Sequence, residues 1–97
     1  MPSDLSFRLT VEDVFSIRGL GTVVTGRVDS GTLHVGDTVE IVGQSTRQKT
    51  TVARIEMFRK QVDQATVGDI VGVILQGIER DQVQRGDILA GTAPGFG

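Results

Sequence analysis

Apolar and polar residues alternate through much of this chain, and glycine marks most of the places where they stop. Leu5, Phe7, Leu9 and Val11 alternate with Ser6, Arg8 and Thr10, the two-residue period of a strand with one buried face. Glu12-Asp13 make a polar corner. Phe15 and Ile17 then alternate with Ser16 and Arg18, which predicts a second half-buried strand. Gly19-Leu20-Gly21 breaks the alternation, because glycine reaches backbone angles closed to branched residues. Thr22 to Thr25 resume it with β-branched residues that suit a pleated surface. Gly26 interrupts that run as a bulge or a close backbone approach does. Asp29-Ser30-Gly31 carries turn chemistry, and Thr32-Leu33 restarts a strand. The segment Val14 to Gly36 is therefore expected to turn back on itself twice. That leaves a groove beside its glycines where a flat ligand can approach the backbone.

The remaining pattern is shorter in period. Thr38 to Val42 predicts a strand, and Gly43 to Lys49 a polar, flexible loop. Thr51 to Phe58 predicts another strand, with a bulge or twist because Val52 and Ile55 differ in parity. Arg59 to Ala65 is expected to be a loop with at most one helical turn. Ile70 to Leu75 is an apolar run consistent with a strand buried on both faces, Ile78 to Gln84 a second possible helical turn, and Ile88 to Ala90 the last strand. A Gly-Asp pair precedes a strand at 36, 68 and 86, where glycine supplies a positive φ and aspartate caps the turn. Short strands at such spacing predict a small closed barrel.

Composition narrows the class. The 97 residues suffice for one domain, with a core over about 5–91 and a flexible tail over 92–97. Thirteen glycines against two prolines, and four phenylalanines with no Trp or Tyr, point to an all-β domain cored by Val, Ile and Leu. The net charge of −2 argues against a broad basic surface for nucleic acid, while a local contact with one end of a nucleic acid stays open. No cysteine is present and His34 is the only histidine, so no disulfide, thiolate metal site or multi-histidine site is expected. No apolar run reaches membrane-span length and the first residues lack signal-peptide character, so the expected setting is cytoplasmic, with no membrane partner.

Motifs of catalysis and cofactor binding fail on inspection. Gly19-Leu20-Gly21 begins a dinucleotide fingerprint, but Val24 stands where the third glycine belongs and no helix follows. Gly21 to Gly26 begins a phosphate loop, but Arg27 and Val28 replace its Lys and Ser/Thr. Arg85-Gly86-Asp87 is the third of the Gly-Asp turns. His34 has no acid at suggestive spacing, and Glu12-Asp13 reads as a solvated corner. No catalytic residue, metal or cofactor is expected. Glu56-Met57-Phe58-Arg59-Lys60 has two readings. An acid, two apolar groups and two bases can hold a nucleotide, the base on apolar surface and a phosphate on Arg59; an ordinary strand end with solvated charges is the other.

The runs EDVFSIRGLGTVVTGRVDSG (12–31), VGDTVEIVG (35–43), IEMFRK (55–60) and VGDIVGVILQGIERDQVQRGDILA (67–90) together resemble the second domain of elongation factor Tu. The resemblance implies an all-β, six-stranded closed antiparallel barrel of the translation-factor type. It implies a non-catalytic role: holding the aminoacylated 3′ end of transfer RNA against a neighbouring GTPase domain. By that resemblance the aminoacyl group lies near Asp13, Phe15 and Thr25. The terminal adenosine lies among Ile17, Gly19, Val23, Glu56 and Ile74, with Arg59 close to the terminal nucleotides. Ile70 stands where the family has an asparagine facing the aminoacyl ester, and Leu20 and Gln76 stand where arginine is common. Two functions remain open from sequence. One is a tRNA-binding module, weak or silent without its GTPase domain; the other is an isolated or redesigned barrel scaffold that has lost binding.

Overall fold

The computed structural model describes residues 6–44 and 46–91; Leu5 of the first predicted strand and the predicted tail over 92–97 lie outside the described residues. Among the described residues ten strands form: β1 (Arg8–Thr10), β2 (Asp13–Ile17), β3 (Gly21–Ser30), β4 (Thr32–His34), β5 (Thr38–Val42), β6 (Arg47–Met57), β7 (Lys60–Val62), β8 (Gln64–Thr66), β9 (Ile70–Leu75) and β10 (Ile88–Gly91). One short 3₁₀ turn, Arg80–Gln82, lies where a helical turn is predicted. β1, β10, β5, β6, β9 and β3 pair antiparallel in that order, and β3 pairs back onto β1. This closes the six-stranded barrel. β2 extends the line of β1 along β3, β7 hangs on β6, and β4 pairs only with β8.

Closure follows from two long strands that change partners. β3 pairs β2 over Gly21 to Thr25 and β1 from Val28 onward on one edge, with β9 along the other. Gly26 sits at the change. A Cβ there would lie 2.2 Å from the carbonyl oxygen of Thr10 and against Leu9, so only glycine lets the two backbones cross. β6 likewise pairs β5 up to Thr51 and β9 from Val52, with the predicted irregularity between Val52 and Arg54. Inward residues fill the barrel: Leu9, Val24, Val28, Val39, Ile41, Val52, Ile55, Val71, Val73 and Leu89 are buried in one cluster.

The three Gly-Asp turns are copies of one device. In each, the aspartate carboxylate accepts the N–H three residues back (His34, Thr66 and Gln84, at 2.8, 2.9 and 2.9 Å). The glycine holds φ of +94°, +90° and +95°, the third position of a type II turn. Each glycine N–H donates to a valine carbonyl, of Val52, Val28 and Val11, and the same valine N–H donates to the aspartate carbonyl. Each turn is thus stitched to a neighbouring strand.

Four expectations need correction. Asp29-Ser30-Gly31 does not close a hairpin, because β4 leaves β3 to pair with β8. The polar loop after Gly43 ends at Thr46; Arg47, Gln48 and Lys49 are β6 residues paired to β5. Arg59 to Ala65 holds strands, since Phe58 and Arg59 adopt φ of +54° and +67° and make the two-residue turn from β6 to β7. Phe15 and Ile17 do not face the core: Val14 does, and the apolar parity of β2 points outward. Among the described residues no helix is long and apolar enough to cross a membrane.

Candidate nucleic-acid interface

β2, β3, β9, β6 and β7 lie side by side, and their registers align the outward residues in rows. Phe15 pairs with Val23, Val23 with Ile74, and Ile74 with Arg54. In the next row Asp13 pairs with Thr25, Thr25 with Gly72, and Gly72 with Glu56. Arg27 and Ile70 follow, and Ile17 lies at the far end opposite Gly21. Strand alternation puts all of these on one face, because the residues between them (Val14, Val24, Ile55, Val71, Val73) belong to the core or pack against it.

Eight of the ten residues singled out from sequence stand in these rows: Asp13, Phe15, Ile17, Val23, Thr25, Glu56, Ile70 and Ile74. The other two flank them. Gly19, at φ +86°, lies in the turn from β2 to β3, and Arg59 in the turn from β6 to β7.

Burial on this face is uneven. Val23 and Ile74 are 4% and 3% exposed although neither joins the core cluster. Phe15 and Ile17 beside them are 39% and 38% exposed, and Ile70 is 60% exposed. The apolar surface open to a ligand on this face is therefore that of Phe15, Ile17 and Ile70, with Val23 and Ile74 almost wholly covered beside it. Ile70 and the half-buried Gly72 show that β9 is buried on both faces only at its C-terminal end, less than its apolar run predicts.

Polar groups border this surface. The Arg54 guanidinium lies 3.4 Å from Glu56 Oε2, both side chains partly exposed, which orients the carboxylate while Oε1 faces no described partner. Asp13 Oδ1 accepts the N–H of Val14 and lies 3.9 Å from Arg85, a solvent-screened pair. Arg27 and Arg54 on the face, Arg59 and Lys60 on the β6–β7 turn and Arg85 beside Asp13 place cations around it despite the net charge of −2. Phe58 is 87% exposed at positive φ, a conformation that bulky residues adopt only at about 1–3 kcal/mol of strain and that clusters at functional sites.

Sequence reasoning missed Arg54 and Gly72. The alternation of Arg54 with Glu56 across a buried Ile55 carried a signal for the first, and a glycine inside IVGVIL without turn chemistry carried one for the last. A concavity of about 510 Å³ lies elsewhere, between the β5–β6 loop and the turn at 84–87, lined by residues that include Val42, Gly43, Gln84 and Asp87. Its Asp87 carboxylate already accepts the Gln84 N–H. The multistrand face is the better candidate.

The profile of one known protein family, described as elongation factor Tu domain 2, matches residues 21–90, which include β3, the stitched turns, Glu56 and β9. Taken with the closed six-stranded antiparallel barrel, this match over most of the chain shows that it belongs to the elongation factor Tu domain 2 family.

Proposed function

We propose that this translation-factor barrel holds the aminoacylated 3′ end of a transfer RNA on the outer face of β2, β3, β9 and β6, without chemistry of its own. Domain 2 of elongation factor Tu is a non-catalytic barrel. The observation that carries the reading is the exposed apolar surface of Phe15, Ile17 and Ile70 on one face with Asp13, Thr25 and Glu56. The terminal adenosine lies among Ile17, Gly19, Val23, Glu56 and Ile74. The Glu56 carboxylate accepts from its exocyclic amine or a ribose hydroxyl, and the aminoacyl group reaches Asp13, Phe15, Thr25 and Ile70. Arg59 meets the terminal phosphates. In its working context a GTPase domain covers the other side of the ligand, and the setting is the cytoplasm.

Stacking one base contributes about 1–3 kcal/mol, while association costs at least about 4 kcal/mol in lost freedom. The 97 residues alone therefore bind with a Kd weaker than roughly 0.1 mM near physiological salt. Leu20, Ile70 and Gln76, where the family has charged or polar residues, favour a second reading, a barrel scaffold that folds and no longer binds. Titrating a short aminoacylated acceptor stem and its deacylated twin separates the two. The proposal expects preference for the aminoacylated form and a loss of about tenfold in Glu56→Ala, the size of a hydrogen bond to a charged group. Equal, Glu56-independent binding of both stems, or none at millimolar concentration, favours the scaffold.

A further inference from the structure

Glycine has a folding reason at every described position except one. Gly19, Gly21, Gly31, Gly36, Gly68, Gly77 and Gly86 have positive φ. Gly26, Gly43 and Gly91 would push a Cβ to within 2.2, 2.9 and 3.2 Å of a neighbour. Gly72 has neither excuse. Its φ lies outside the left-handed region, and a Cβ there would meet only Val23 Cγ1 at 3.6 Å and Thr25 Cγ2 at 3.9 Å, ordinary contact distances. A glycine inside a strand weakens it and marks a site where a ligand comes close to the backbone.

From this we infer that Gly72 is a specificity-determining residue: its missing side chain opens a slot over β9 through which the sugar of a terminal nucleoside reaches the backbone. The inference rests on the proposed RNA 3′-end site and adds to it a residue that sequence did not suggest. The slot lies between Thr25 and Glu56 across the sheet and between Ile70 and Ile74 along the strand. Its nearest walls are Val23 Cγ1 and Thr25 Cγ2, 3.6 and 3.9 Å from where a Cβ would sit, so a ligand comes closer to the backbone here than over any residue with a side chain. The Gly72 N–H and C=O belong to a strand paired on both edges, so the slot offers an apolar methylene floor with polar groups only at its sides. On one side the Glu56 carboxylate accepts from a sugar hydroxyl; on the other the half-buried Thr25 turns its methyl Cγ2 toward Gly72. The base then lies toward the row of Phe15, Val23 and Ile74, and the acyl group on the side of Ile70.

The test uses Gly72→Ala and Gly72→Val in the full 97-residue chain, a thermal melt, and amide chemical-shift titration with an amide-linked aminoacyl CCA trinucleotide. Gly72→Ala is expected to raise the melting midpoint by about 2–8 °C, since alanine restricts the unfolded chain and has room in the folded one. Gly72→Val is expected to stay folded and to weaken binding at least tenfold. A lowered midpoint in Gly72→Ala would make the glycine structural and overturn the inference. Wild-type affinity in both variants would overturn it and leave the site reading standing. No saturable shift on this face in the wild-type chain would remove the site reading and the inference with it.

Discussion

The two faces of β3 and β9 are built on different principles, and their glycines show it. Inward, Val24, Val28, Val71, Val73 and Leu75 are medium aliphatics of similar size, as a closed barrel needs to fill its interior. Gly26 faces the same way, and its backbone is pressed against Thr10 so closely that no side chain fits. Outward, a buried Ile74, a bare Gly72 with room for a Cβ and an exposed Ile70 follow one another on six residues of strand. Nothing in the packing of the barrel asks for that sequence. One face is shaped by the chain itself, and the other is the face proposed to take a ligand.

The comparison breaks first at Gly26. Gly26→Val forces a branched side chain into the Thr10 carbonyl and should destabilise by about 3 kcal/mol, the upper part of the range for overpacking. A melt within a few degrees of the wild-type midpoint would show that the crossing relaxes freely. Next is the core. Ile55→Ala empties a fully buried site and should cost about 2–5 kcal/mol, measured by denaturant unfolding at constant m. Asp69→Ala removes the carboxylate that accepts the Thr66 N–H in one stitched turn, for an expected loss of about 1 kcal/mol. The same change at Asp37 or Asp87 should match it, because the three turns share one bonding scheme. Smallest is Phe15→Ala on the outer rim, expected within about 0.5 kcal/mol of wild type. Destabilisation by Phe15→Ala equal to that of Ile55→Ala would erase the distinction between the faces.

Much of the barrel was legible because its strands are half-buried and its turns are chemically explicit. The Gly-Asp turns announced β5, β9 and β10, and the parity change between Val52 and Ile55 announced the irregularity in β6. Partner choice was not legible. Nothing local tells β4 to leave β3 for β8, since pairing is decided by residues thirty or more positions apart. β7 was hidden because its turn uses Phe58-Arg59 in place of the asparagine and glycine that positive φ favours. The apolar parity of Phe15 and Ile17 misled for an instructive reason: hydrophobic period locates a face but does not say whether the core or a ligand lies against it. The site residues were reached through family resemblance. Gly72 was overlooked because only the fold shows that its φ is ordinary and that a Cβ there would meet nothing closer than Val23 Cγ1 at 3.6 Å.

Chemical-shift mapping of the whole chain against the amide-linked aminoacyl CCA trinucleotide tests the central claim most directly. The account predicts saturable, fast-exchange shifts confined to residues 13–25, 54–60 and 70–75 and to Arg85, with the turn at 34–37 and the loop at 42–44 silent. Shifts centred on the polar groove of Val42, Gly43, Gln84 and Asp87, or spread evenly over the charged surface, would contradict it.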